Sequence, residues 1–240
     1  MAKQHPWQVG QHTELEQLDD DLWRVAAEVP PMPLARHMTV VRLESGALLI
    51  HNAVCLDEPS MAALEALGPP TYLIVPSHYR LDAFAFKQRC PALEVFTPAP
   101  SRHKVEKVVA VSGSFSDLPS DSHLHVRMLD VGSEGVVIYT NAAGENTLIF
   151  NDTLFNLPKR LLGFRGLVVR MMGSTGGPKV TRISKMRVAS DRHALAAHLH
   201  RLAQQKLRCI IPGHGELIRE HAAQTLTSVA QALSPRAIDG

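Results

Sequence analysis

The chain has 240 residues, 45% of them hydrophobic and 20% charged, which is ordinary for a soluble protein that buries a substantial core. A formal net charge of +2 gives no electrostatic reason to expect nucleic acid or a membrane as a partner, so we expect neither. Residues 1–20 form a polar leader without the apolar core of a signal peptide, and the three cysteines show no disulfide pattern. These features predict a soluble cytoplasmic protein.

The first half of the chain alternates apolar runs with turn and helix signals. A helix is expected to begin at Ser60, its predicted N-cap, and to end at Gly68, while a second helix begins near Asp82 and ends before Pro91. Strands are predicted, in chain order, at residues 22–25, 38–43, 47–50, 72–75, 94–96 and 108–111.

The second half repeats this alternation loosely. Helices are predicted at 192–205 and 220–233, and the glycine-rich segment 172–185 is expected to be an irregular loop. Further strands are predicted at residues 124–129, 136–140, 147–150 and 208–211. Because there is no internal repeat and no clear linker, this order predicts one domain over 1–240, in which helices cover both outer faces of a sandwich of sheets.

Three polar segments each follow an apolar strand run directly. Residues 75–82 supply His78 and Asp82, residues 148–152 supply Asp152, and residues 209–216 supply His214. Side chains at the ends of neighbouring buried strands can converge in a cleft. Nitrogen and oxygen donors of this kind suit zinc, iron or manganese.

On these segments the sequence resembles the metallo-β-lactamase superfamily, in its glyoxalase-II-like hydrolase branch. That family carries T-H-x-H-x-D-H after a buried strand, G-D after a later strand, and P-G-H-G near the C-terminus. Residues 77–83, S-H-Y-R-L-D-A, align with the first motif without a gap; Asn151-Asp152 takes the place of the second, and residues 212–215 match the third. The resemblance covers roughly residues 20–220. It implies an α/β (α+β) fold, the four-layer αββα metallo-β-lactamase-type sandwich.

The first metal site of the family is degenerate in this sequence. His78 remains, but Arg80 stands where the second histidine is expected, and no histidine occupies residues 130–133 before the strand at 136–140. This site therefore keeps one ligand of three.

The second metal site is better preserved. Asp82, Asp152 and His214 remain, while Ala83 replaces the fourth ligand. The resemblance implies at most one divalent metal, zinc, iron or manganese, bound by these three residues, or no metal at all. A guanidinium at Arg80 could also pair with the carboxylates in place of a metal.

The resemblance further implies roles for four residues around this site. His78 and Asp82 are the expected catalytic residues, with His78 as hydrogen-bond donor or proton carrier. Arg80 and His51 are the expected substrate-binding residues, Arg80 for an anionic group. Ile50-His51-Asn52 is similar to a bacterial branch of the superfamily that lacks the full histidine set.

Two functions therefore stay open on the sequence. The first is a metal-dependent hydrolase in which a metal-bound water cleaves an ester, a thioester or a phosphoester of a small-molecule substrate. The alternative is a catalytically inactive, metal-free member of the fold that binds a small molecule or has a structural role. The apolar segment 154–162 leaves a homodimer open.

Overall fold

The structure, a computed structural model, describes residues 6–30, 32–76, 82–129, 134–161, 163–171, 173–181 and 191–234. Its backbone contacts divide the chain into two units. The first consists of Met1–Glu28 and His37–Val126, and the second of Val29–Arg36 and Arg127–Gly240. The single domain over 1–240 stays a prediction. Of the helices in the described ranges, none is long and apolar enough to cross a membrane.

The first unit is built on a mixed sheet. Its strands are β1 (Glu16–Asp19), β2 (Leu22–Val29, as far as Glu28), β3 (Met32–Arg42, from His37 onward), β4 (Leu48–His51), β5 (Pro70–Ile74), β6 (Glu94–Thr97) and β7 (Gly113–Ser114). The strands predicted at 38–43 and 47–50 are observed as β3 and β4, which pair antiparallel. From β4 onward each strand runs parallel to the next, through β5 and β6 to β7.

Side chains alternate between the two faces of this sheet, as the strand period of two requires. One set enters the apolar core of the first unit: Met38, Val40, Leu48 and Ile50. The alternate set points to the opposite face and is also buried: Thr39, Val41, Leu49 and His51. A polar pair, Thr39 and His51, therefore lies among apolar neighbours on that second face.

Helices α1 (Glu58–Leu67) and α2 (Ala83–Arg89) supply the other half of this core. The predicted N-cap of α1 is wrong by three residues. Asp57 is the N-cap, because its carboxylate accepts a hydrogen bond from the Ser60 backbone nitrogen at 2.9 Å and Pro59 fits the first turn.

The strand predicted at 108–111 is also wrong. Helix α3 (Arg102–Val105) and a following turn occupy this region. The reason is the period of burial: Val105, Val108 and Val109 are the buried residues, and a spacing of three and four is typical of helical turns.

The second unit contains the strands β9 (Gly135–Thr140), β10 (Asn146–Ile149) and β13 (Leu207–Ile211), and the end of β8 (Leu124–Met128) from Arg127 onward. The strand order of the sheet is β13-β10-β9-β8. Strands β9 and β10 pair antiparallel, while β10 and β13 pair parallel. Helices α5 (Arg192–Ala203) and α6 (Ala222–Leu233) pack apolar side chains into one cluster with this sheet.

Short strands complete the second unit. Strand β11 (Phe155–Leu157) pairs with β12 (Gly177–Lys179) and with β14 (His214–Gly215), and β14 pairs with the start of β3 at Arg36. Strand β12 lies in the segment predicted as an irregular loop, where part of the chain is outside the described residues. Helix α4 (Gly163–Met171) lies between β11 and β12 in sequence.

Candidate functional site

The parallel strands β10 and β13 end side by side in the second unit. Ile149 is in register with Ile211, and the Phe150 backbone nitrogen donates to the Ile211 carbonyl at 2.9 Å. The chain that follows β10 carries Asp152, and the chain that follows β13 carries His214. The pairing of these two strands therefore brings two of the predicted metal ligands to one edge of the sheet.

The glycines on either side of His214 allow the two chains to meet backbone to backbone. A Cβ on Gly213 would lie 2.0 Å from the Asn151 carbonyl oxygen, and a Cβ on Gly215 would lie 2.0 Å from the Asn156 carbonyl oxygen. Gly215 also has a φ of +95°, which favours glycine. The close approach of the two backbones therefore requires the two glycines of the Pro-Gly-His-Gly pattern.

His214 and Asp152 form a pair within the second unit. His214 Nε2 lies 3.6 Å from Asp152 Oδ1, and the two side chains are only 13% and 16% exposed. The other ring nitrogen, Nδ1, lies 2.9 Å from the Ala35 carbonyl oxygen. Because a carbonyl can only accept, Nδ1 carries a proton, and Nε2 is the ring nitrogen that lies on the Asp152 side. The Phe155 ring packs against the imidazole, with ring centroids 4.5 Å apart.

This geometry fits two ligands of one divalent cation. The separation of 3.6 Å is too long for a hydrogen bond. Two donors that each bind a tetrahedral metal at about 2.1 Å lie about 3.4 Å apart, close to the separation in this pair. A histidine whose other nitrogen donates to a backbone carbonyl is also typical of metal ligands.

Sequence reasoning missed a buried carboxylate, that of Glu134, which bonds to the residue after Asp152. The Thr153 hydroxyl donates to Glu134 Oε2 at 2.7 Å, and both residues are buried. Glu134 directly precedes β9 and follows the residues 130–133 in which the resemblance implies a histidine. A charged residue immediately before a largely buried strand was the signal that could have found it.

Asp82 lies in the first unit at the N-cap position of α2. Its carboxylate does not cap the helix, since Oδ2 accepts a hydrogen bond from the Cys55 backbone nitrogen at 3.0 Å. Ala83, which replaces the fourth ligand, is buried in the apolar core of the first unit. This position packs as a core residue.

His51, predicted to bind substrate, is buried at the end of β4. It is 2% exposed and stands opposite Thr39 in the strand pair, and within the described ranges neither its ring nitrogens nor the Thr39 hydroxyl has a hydrogen-bond partner. Burial lowers the pKa of His51 to about 4, so the ring is neutral at pH 7. Asn52, with a φ of 60°, turns the chain directly after it. The role of His51 in substrate binding stays a prediction.

The remaining predicted residues, His78 and Arg80, lie outside the described residues. In the part of the chain that the structure covers, no group of three or more His, Cys, Asp and Glu side chains is placed to hold a metal ion. The three-ligand set of Asp82, Asp152 and His214 therefore stays a prediction. Within this set the structure gives the separation of Asp152 and His214.

Solved structures with the same fold identify the architecture. The DIM-1 metallo-β-lactamase aligns with 93% of this chain and 100% of its own, at 14% identity and a TM-score of 0.62. A metallo-β-lactamase from Pontibacter korlensis aligns with 91% of this chain and 98% of its own, at 14% identity and a TM-score of 0.60. A variant of the flavo di-iron protein from Thermotoga maritima aligns with 94% of this chain and 63% of its own, at 14% identity and a TM-score of 0.58.

The chain therefore has the metallo-β-lactamase fold, and the predicted fold class is confirmed. No family model and no curated protein matches the sequence. At this level of identity the likeness shows the fold alone, so the site must be argued from its own residues.

When the pH is lowered, the His51→Leu variant is expected to lose less free energy of unfolding than the wild type. The folded-state pKa of His51 is lowered, so its contribution is fully present above the unfolded pKa of about 6.5 and is lost as pH falls toward 4. Between pH 8 and pH 5 the wild type should lose about 2 kcal/mol more free energy of unfolding than His51→Leu. Urea unfolding at both pH values measures this. His103→Leu, at an exposed histidine, is the control; equal pH dependence of wild type and His51→Leu would contradict the burial argument.

Gly213→Ala is expected to lower the free energy of unfolding by at least about 2 kcal/mol, because the new Cβ meets backbone that cannot move aside without breaking the strand pairing. Gly10→Ala is the matched control, since no atom lies within 4 Å of its Cβ position. Denaturant unfolding of both variants gives the comparison, and similar stability of the two would show that the approach of Gly213 to Asn151 is not required.

Proposed function

We propose that this protein is a metal-dependent hydrolase with one divalent cation held by Asp152 and His214. The observation that carries the proposal is the His214–Asp152 pair, with its 3.6 Å separation and the carbonyl bond that fixes the tautomer. Asp82 is proposed as the third ligand on the sequence resemblance alone. The similarity in fold to metallo-β-lactamases and to a flavo di-iron protein supports a site that uses metal.

The residues of the pair each have a definite task in this proposal. The Ala35 carbonyl accepts a hydrogen bond from Nδ1 of His214 and holds the ring with Nε2 on the Asp152 side, where it could bind a metal. The Phe155 ring packs on the imidazole and limits its rotation. Asp152 supplies the negative charge that a cation requires in a site shielded from water. A divalent cation bound there supplies an activated water for hydrolysis.

The substrate class follows from the residues around the first motif. We propose an ester, thioester or phosphoester of a small molecule that carries an anionic group. Arg80 would pair with that group through its guanidinium, and His78 would donate to the reacting group or carry its proton. These two roles rest on the sequence resemblance.

Metal should stabilise the folded protein in proportion to its occupancy. At a metal concentration about 100 times the Kd, binding adds about 2.7 kcal/mol and raises Tm by roughly 5–10 °C for a chain of this size. Chelator-treated wild type is titrated with Zn²⁺, Mn²⁺ and Fe²⁺ separately, and Tm and bound metal are measured. His214→Gln and Asp152→Asn should each abolish the rise in Tm and the uptake of metal.

Control variants separate this site from adventitious binding. His103→Gln and Asp20→Asn change exposed residues of the same types and should leave the metal response intact. Hydrolysis of p-nitrophenyl acetate, an acyl thioester and bis-p-nitrophenyl phosphate should appear only with metal and should be lost in His214→Gln. If wild type takes up no metal in any titration, the proposal fails.

One observation favours the alternative, a metal-free small-molecule binding protein on the same fold. Ala83, at the position of the fourth ligand, is part of the apolar core of the first unit. In that alternative Arg80 pairs with the carboxylates, so Arg80→Ala would lower Tm while added metal leaves the wild-type Tm unchanged. A rise in Tm with metal that requires His214 excludes it.

A further inference from the structure

Helix α4 (Gly163–Met171) exposes large apolar side chains to solvent. Phe164 is 79% exposed, Leu167 is 49% exposed and Met171 is 70% exposed. The helix docks on the second unit through a different side, where Gly166 and Val169 are buried. Gly166 also lets the chain that enters the helix pass close by, because a Cβ there would lie 2.5 Å from the Leu161 carbonyl oxygen.

The two apolar sides of α4 are opposite each other. At about 100° per residue, Phe164, Leu167 and Met171 fall within about 60° of arc, and Gly166 and Val169 lie on the far side of the axis. The two flanks between these sides carry Arg165 on one and Arg170 on the other, both exposed. A helix that has packed one apolar side has thus kept a second, flanked by cations, on the surface.

The chain segment that contains this helix carries charge of one sign. Lys159 and Arg160, just before it, are exposed as well. Between Asp152 and Asp191 the sequence contains no aspartate or glutamate but eight cations: Lys159, Arg160, Arg165, Arg170, Lys179, Arg182, Lys185 and Arg187. Over the whole chain 25 basic residues are balanced by 23 acidic ones, so this segment departs from the rest of the molecule.

We propose that α4 is a docking surface for an anionic phospholipid bilayer. An apolar stripe flanked by arginines is the pattern by which a helix lies in the interface, with its apolar side chains among the acyl chains and its cations at the headgroup phosphates. Nine residues span about 14 Å, so the helix lies along the surface and does not cross the bilayer. Arg165 and Arg170 can extend to the headgroups from the flanks, as long cationic side chains do.

Charge decides between this partner and a second copy of the chain. A two-fold interface places the same patch on both subunits. It would set the four exposed cations at 159, 160, 165 and 170 against the same four of its partner. Double-stranded nucleic acid would satisfy the cations, but its phosphates and sugars would leave the Phe164-Leu167-Met171 stripe in water. An anionic bilayer satisfies both.

The experiment is flotation of the full chain with vesicles, compared between pure phosphatidylcholine and phosphatidylcholine with about 30% phosphatidylserine. Wild type should float with the anionic vesicles alone, and less of it should float at about 0.5 M salt than at about 0.1 M. The Arg165→Gln/Arg170→Gln variant should lose about 25-fold in partition coefficient, because each basic residue near such a surface contributes about fivefold. The Phe164→Ser/Leu167→Ser/Met171→Ser variant should lose binding entirely.

Matched controls distinguish the effect of substitutions in α4 from the effect of changing the charge or hydrophobicity of the whole protein. Lys104→Gln/Lys107→Gln removes the same charge from exposed positions of the first unit and should bind like wild type. Val9→Ser, at a position 45% exposed, is matched to Leu167→Ser at 49%, and only the latter should weaken binding. All of these sites are exposed, so unchanged thermal unfolding should confirm that each variant folds. Phe164→Trp gives a second readout, with emission that shifts to the blue on vesicles and is quenched by brominated lipid.

Several outcomes would overturn the proposal. The proposal is wrong if wild type floats with neither kind of vesicle. It is also wrong if Lys104→Gln/Lys107→Gln loses as much binding as Arg165→Gln/Arg170→Gln. A dimer in size-exclusion chromatography that the triple serine variant disperses would identify a second copy as the occupant. Binding of single-stranded RNA that the arginine variant abolishes, without vesicle binding, would identify nucleic acid.

Discussion

The approach of two chain segments at the ends of β10 and β13 is the constraint on which the candidate site depends. With Gly213 against the Asn151 carbonyl and Gly215 against that of Asn156, no side chain larger than hydrogen fits at either glycine, and His214 lies between them. The backbone pairing of these segments continues through the Gly213 nitrogen to the Leu154 carbonyl and the Glu216 nitrogen to the Asn156 carbonyl. The backbone pairing of these segments therefore also positions His214, and a substitution that disturbs the pairing disturbs the position of this residue.

Polar groups in this protein are buried in two different ways. In the second unit His214 has a carbonyl partner and Glu134 has a hydroxyl partner, so both ionisable residues enter a low-dielectric environment with a hydrogen bond. In the first unit His51 and Thr39 are buried without a hydrogen-bond partner in the part of the chain that the structure describes, and burial lowers the pKa of His51 to about 4, so its ring is neutral at pH 7. Unpartnered buried polar groups of that kind lower stability and commonly mark functional positions.

The surface of the protein shows that whole-chain totals average over segments of different charge. The net charge of +2 led to the expectation that the chain binds neither membrane nor nucleic acid, because total charge averages over segments. Eight cations without an acid between Asp152 and Asp191, together with an exposed apolar stripe on α4, form a local pattern that the average conceals. The positions of the charges relative to a helix axis, and not their sum, determine what such a surface can bind.

The sequence by itself determined the fold class and much of the element order, because apolar runs that end in polar clusters mark buried strands and because Pro-Gly-His-Gly has few structural uses. It also placed Asp152 and His214 at strand ends. Tertiary structure alone decided that these two side chains face each other, that Ala35 holds the imidazole, and that the N-cap of α1 is Asp57. It alone showed the buried Glu134 and the exposed side of α4. These features depend on contacts between residues distant in the chain or on which side of a helix is covered, and neither is encoded in local periodicity.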